Sequence, residues 1–168
     1  ARPAAPSSAG TDIVFVVSAA ASVSDDVAAL RASMRSIADR AGASSSSCRF
    51  ALVSYGGGAG DERARTDVDF TADAAAVENG LDSLARGGGA GEVGRASAPV
   101  YSGIMRAMGL SWRSGARREV IVIGDAPAGD PEPGTGYTAA SVARAARGGA
   151  QVTIYSISTG GSAGAGGS

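Results

Sequence analysis

Four serines and one aspartate stand where a ligand could meet them. In the stretch TDIVFVVSAAASVSDD, which begins at Thr11, the apolar run Ile13 to Val17 stops at Ser18. Small residues then lead to Ser22, Ser24, Asp25 and Asp26. Farther on, the run EVIVI (Glu119 to Ile123) ends at Gly124-Asp125-Ala126-Pro127, and Ser97 stands two residues before Pro99. A polar side chain just past a buried strand faces the crevice in which open α/β sheets bind their ligands. Ser24 and Ser97 also read as helix N-caps, and such ends offer N–H groups that can accept a carboxylate. Asp25 and Asp26 suit the positive end of the helix that Ser24 opens.

The chemistry open to these groups is binding rather than bond making. All 15 basic residues are Arg, and the chain has no Lys and no His. No Ser–His relay, Cys–His pair or Schiff base can therefore be built from it. Gly89, Gly91 and Gly94 have GxGxxG spacing, but they follow a helical segment instead of a strand, which argues against a dinucleotide site. A net charge of −1 leaves no footprint for nucleic acid. No apolar run approaches the roughly 20 residues of a membrane span. The single Cys48 cannot close an internal disulfide, and in the run CRFALVSY it reads as a buried, inert thiol.

Strands and helices must alternate to position these groups. Ala1 to Gly10 reads as a flexible lead-in, residues 11–159 as one domain, and Gly160 to Ser168 as a Gly/Ala/Ser tail. Ile13 to Val17 and Phe50 to Tyr55 read as strands inside a sheet. Between them lies a helix with Val27, Leu30, Met34, Ile37 and Ala41 on one face, stopped by Gly42. Thr66 to Phe70 alternates polar and apolar, as an antiparallel edge strand would, and Thr71 can cap a helix that turns Val77, Leu81 and Leu84 inward. Ser97 and Pro99 start a helix with Val100, Ile104, Ala107 and Met108 inside, and Trp112 near its end reads as a core plug. Thr138 caps a short helix ended by Gly148 and Gly149, and Val152 to Ile157 is the last strand. The fold class is α/β: a doubly wound, mostly parallel sheet with one antiparallel edge strand and helices on both faces. Right-handed crossovers set the Ile13 and Val120 strands side by side at a switch point. The Ser18–Ser24 loop, the Gly94–Pro99 loop and Asp125 then meet on one rim.

These segments resemble, in order, those of a von Willebrand factor A domain of the bacterial extracellular type. DIVFVV with its Ser-containing loop, SVSDDV, RFALVSY, DVDFTAD, APVYSGIMRAM and REVIVIGDAPAGDPEPGTGY carry the likeness over Thr11 to Thr159. The resemblance implies a divalent cation held by a DxSxS loop, a Thr from a second loop and an Asp from a third. Here the DxSxS positions hold Ser18, Ala20 and Ser22, so the leading acid and one hydroxyl are missing. The second loop offers Ser97 or Glu92 instead of Thr. Ser22 and Asp125 match as they stand and, with Ser18, are the candidate metal ligands. A hard cation wants about six oxygens with carboxylates among them. The resemblance also implies a further strand and helix after VTIYSIST, where this sequence reads GGSAGAGGS. Either the chain was cut there, or the sheet edge stays open for a neighbouring chain to complete.

The expected function is non-enzymatic protein binding, adhesion or structural assembly. It would act through a rim of Ser18, Ser22, Ser24, Ser97 and Asp125, with no cofactor and no tightly bound metal. The alternative is a cation-dependent binder that retains Mg²⁺, Mn²⁺ or Ca²⁺ through Ser18, Ser22, Ser97 and Asp125. The expected partner is another protein, copies of this chain among the candidates, and the expected setting is extracellular or at the cell surface.

Overall fold

The computed structural model describes residues 10–19, 27–44, 47–56, 63–86, 98–124 and 127–158. In chain order the elements are β1 (Thr11–Ser18), α1 (Val27–Ser44), β2 (Cys48–Tyr55), β3 (Ala64–Thr71), α2 (Ala74–Arg86), α3 (Val100–Met108), β4 (Arg117–Gly124), α4 (Ala139–Ala145) and β5 (Thr153–Ser158). A π turn, Ala146–Ala150, prolongs α4. The sheet order is β3-β2-β1-β4-β5. β1 runs parallel to β2 and β4, β4 runs parallel to β5, and β3 is the antiparallel edge. Because β2 and β4 leave the central β1 in opposite directions, the crevice opens at the carboxyl end between β1 and β4.

Alternate residues of the strands feed two cores. Ile13, Phe15, Val17, Phe50, Leu52, Ile121 and Ile123 face Leu30 and Met34 of α1 and Val77 and Leu81 of α2. Val14, Val16, Ala51, Val53, Val120 and Val122 face Ile104 and Ala107 of α3 and Val142 of α4. Continuous β-branched runs are what a strand covered on both faces requires. Trp112 lies in the loop beyond α3, half-buried against the second core, with its edge toward Phe70 at 5.0 Å between centroids. Cys48 packs against the first core.

Element ends depart from the sequence reading in four places. Gly42 does not stop α1, which runs on to Ser44; a helical glycine costs only about 1 kcal/mol, which neighbouring turns can carry. Asp73 rather than Thr71 caps α2: its carboxylate accepts from Ala75 N, while Thr71 Oγ1 accepts from Asp73 N. The N-cap of α3 is Pro99, not Ser97, and Pro99 makes no side-chain cap. Gly148 and Gly149 lie inside the π turn, and Gln151 beyond it takes the left-handed conformation. The capping assigned to Thr138 holds, with a reciprocal bond from Thr138 N to Ser141 Oγ.

The amino end of the sheet is fastened by a buried ion cluster. Asp12 is fully buried at the start of β1. It accepts from Arg49 Nε (3.1 Å) and Nη2 (2.7 Å), and from Arg113 N (2.9 Å) and Nε (2.8 Å). Burial pushes the Asp12 carboxyl up, but the hydrogen bonds from Arg49 and Arg113 outweigh it and hold the group below its usual range. Arg49 also lies 4.6 Å over the Phe70 ring, and Arg113 reaches the carbonyls of Thr11 and Ser47. One carboxylate thus ties β1 to β2 and to the loop before β4.

Candidate functional site

At the carboxyl end of the sheet, Ser18 is the last residue of β1 and is buried. It pairs with Tyr55 of β2 on one side, and Gly124 of β4 lies on the other. A Cβ built on Gly124 would come 3.6 Å from the Ser18 Cβ and would overlap the Tyr55 hydroxyl. Gly124 is therefore the opening through which the Tyr55 ring passes beneath β4. The Tyr55 hydroxyl donates to the Ile123 carbonyl at 3.4 Å. Hence β2 braces the strand end from which Asp125 departs. Asp125, Ser22, Ser24 and Ser97 lie outside the described residues, so of the five expected rim residues the structure places Ser18.

The wall beyond β4 is pinned to the start of α3. Ala98 and Ala128 form a parallel bridge, with Ala98 N donating to the Pro127 carbonyl at 3.2 Å. Two carboxylates of the following loop then reach the first turn of α3. Asp130 accepts from the Tyr101 hydroxyl at 3.2 Å. Burial, and then the Asp130 charge, push the Tyr101 phenol above its usual range. Glu132, which is fully buried, accepts from Ser102 N at 3.0 Å, from Ser102 Oγ and from Thr135 Oγ1 at 3.1 Å. Pro99 has no side-chain oxygen, so Glu132 supplies the cap from thirty residues away.

This corrects one expectation about the rim. The α3 N-terminus is not an open receptor for a partner's carboxylate, because Ser102 N is held by Glu132 and Val100 N by the Ala98 carbonyl. Replacing Glu132 by Gln should strand one acceptor interaction in a dry site. The expected loss is about 1–3 kcal/mol in urea unfolding, with α3 retained in the circular dichroism spectrum.

Between the ends of β4 and β5 and this wall lies a cavity of about 390 Å³, lined by Tyr55, Val100, Val122, Pro127, Ala128 and Ser156 among others. Among the described residues, no charged side chain lines it. The rim accordingly combines hydroxyls with an adjoining apolar recess.

A hard divalent cation asks for several oxygens with carboxylates among them. Among the described residues, no group of three or more His, Cys, Asp or Glu could hold a metal ion. The first-loop positions 18 and 20 are Ser and Ala, and neither carries a side-chain carboxylate. Asp125 supplies the one carboxylate among the expected rim residues. Hydroxyls alone compensate little of a 2+ charge.

The family model described as von Willebrand factor type A domain matches residues 12–165. Sequence comparison with curated proteins gives no match. Among solved structures, the fold is similar to BatB, a conserved hypothetical protein of Bacteroides thetaiotaomicron, at 15% identity and a TM-score of 0.60 over 89% of this chain and 66% of that one. It is also similar to the SpRpn10 VWA domain, at 12% identity and a TM-score of 0.55 over 88% of both chains. The pilus adhesin SpaC of Lactobacillus rhamnosus GG aligns at 15% identity and a TM-score of 0.51 over 70% of this chain and 16% of that one. The chain thus spans just under two thirds of BatB and a sixth of SpaC.

Proposed function

Since the chain belongs to the von Willebrand factor type A domain family, we propose that it is a non-enzymatic protein-binding or adhesion domain. It meets its partner with the rim at the carboxyl ends of β1 and β4 and needs no tightly held divalent ion. The observation that carries this reading is the braced junction of Ser18, Tyr55 and Gly124. It offers a stiff hydroxyl-bearing ledge beside an apolar recess, with few carboxylates to trap a cation. The absence of His and Lys supports binding over catalysis. Likeness to a pilus adhesin supports a surface or extracellular setting. Among the described residues, no helix is long and apolar enough to cross a membrane.

Beads carrying the intact chain test the reading on surfaces coated with collagen, fibronectin or mucin. Retention on at least one coat should persist in excess EDTA and fall in a Ser22→Ala/Asp125→Ala variant. Retention abolished by EDTA, or equal retention by that variant, would overturn the reading.

Self-assembly has an observation of its own. Among the described residues β5 pairs only with β4, and its Tyr155 and Ile157 are 44% and 43% exposed beside buried Ile121 and Ile123. A parallel sheet is usually covered on both faces, and an uncharged open edge accepts a further strand. In this reading a neighbouring copy completes the sheet. Sedimentation velocity should show concentration-dependent association that Tyr155→Lys/Ile157→Lys removes; a monomer at all concentrations would exclude it.

A further inference from the structure

The end of the sheet opposite the rim carries a second surface. It lies about 25 Å away, the length of an eight-residue strand at ~3.3 Å per residue. A groove of about 580 Å³ opens there between the last turn of α3 with its following loop and the π turn after α4. Met105, Met108, Leu110 and Trp112 form its apolar wall, with Arg118 and Ala150 facing them. Two of the chain's three methionines are here, and methionine adapts to irregular apolar partners. All four apolar residues are only partly buried.

Among the described residues, the charge around this groove has one sign, and no Asp or Glu lines it. Arg118 is fixed by donating to the carbonyls of Ala150 (2.7 Å) and Arg113 (3.1 Å), which leaves its positive charge in the wall. On the helix and turn beside it, Arg144 and Arg147 are exposed, and neither forms an ion pair with a described residue. Arg106 on α3 spends its Nε on the Thr66 hydroxyl rather than on a carboxylate. The π turn keeps the wall low: a Cβ added at Gly148 or Gly149 would meet nothing within 4 Å.

We propose that this groove docks an acidic amphipathic segment of a partner protein. Its apolar side chains lie against Met105, Met108, Leu110 and Trp112, and its carboxylates face Arg144 and Arg147. Charge complementarity selects the occupant, because an apolar trough bordered by arginines that have no carboxylate partner among the described residues favours an apolar segment bearing carboxylates. The inference is independent of the rim and gives the domain two binding faces at opposite ends of one sheet.

Trp112 is the only tryptophan in the chain, so its fluorescence reports on the groove directly. The probe is a synthetic amphipathic peptide with Leu at helical spacing, Glu elsewhere and no aromatic residue. The intact chain should show a saturable change in Trp112 emission, and peptide-induced amide shifts confined to residues 105–112 and 145–150. Arg144→Glu/Arg147→Glu, two exposed substitutions that leave the thermal transition in place, should weaken the peptide by about tenfold or more. Asp125→Ala should leave its affinity unchanged. Four results would overturn the proposal: no saturable change, equal binding of the Lys-for-Glu peptide, indifference to the charge reversal, or preference for anionic phospholipid vesicles over the peptide.

Discussion

Asp12→Asn is expected to destabilise the domain by about 3 kcal/mol, the lower end of the loss seen when one partner of a buried ion cluster is removed. The Arg49 and Arg113 side chains are each about 25% exposed, so water recovers part of the loss. The rest remains, because both guanidiniums stay packed at the end of β1 without their shared carboxylate. In a chain of this length that corresponds to a fall in Tm of roughly 6–12 °C. Arg35→Gln breaks only the solvent-exposed pair with Glu78 between two helix surfaces and should leave the unfolding midpoint nearly unchanged. The pH dependence carries the same signature. The Asp12 carboxyl lies below its ordinary value in the folded chain, so the unfolded chain takes up the proton first. The stabilisation is therefore complete above the ordinary aspartate range near pH 4 and is lost as pH falls through the lowered folded value. Urea midpoints measured from neutral pH down to pH 2 should show this decline in the parent chain and a flatter acid limb in Asp12→Asn.

The second large effect is a reciprocal pair at the rim. Gly124→Ala should cost about 2 kcal/mol, because the new Cβ overlaps the Tyr55 hydroxyl in a close-packed floor. Tyr55→Phe removes the overlapping atom together with the bond to the Ile123 carbonyl, and alone should cost about 1 kcal/mol. In the double variant the penalty of Gly124→Ala should largely disappear, giving a favourable coupling of about 1–2 kcal/mol. Additive losses would mean that the hydroxyl is not what forbids a side chain at position 124. The cycle needs only equilibrium unfolding, so it examines the rim's construction without knowledge of the partner.

The parts of this fold legible in the sequence are those whose cause is local. DIVFVV and EVIVI declare buried strands because consecutive β-branched residues suit a sheet covered on both faces. Thr138 declares its cap because Ser141 answers within one turn. The parts that stayed hidden depend on residues far apart along the chain. Asp12 carries no local signal of its role, since its partners Arg49 and Arg113 stand 37 and 101 residues away. Local sequence points to Ser97 as the cap of α3, because nothing near Pro99 indicates that Glu132 arrives from the other side of the rim. A glutamate between two prolines, as in DPEPG, was the available signal: such a rigid segment holds its acid in one place. Gly124 and Tyr55 were each visible, but their interlock belongs to the sheet order and not to either strand. Ser18 was found because strand end and site coincide in a parallel sheet.

Calorimetric titration of the intact chain with Mg²⁺, Mn²⁺ and Ca²⁺ bears most directly on the proposed function. The rim's donor set, with Ser18 and Ala20 at two first-loop positions and one carboxylate at Asp125, predicts no saturable binding of any of the three ions. Stoichiometric binding that Asp125→Ala abolishes would contradict it.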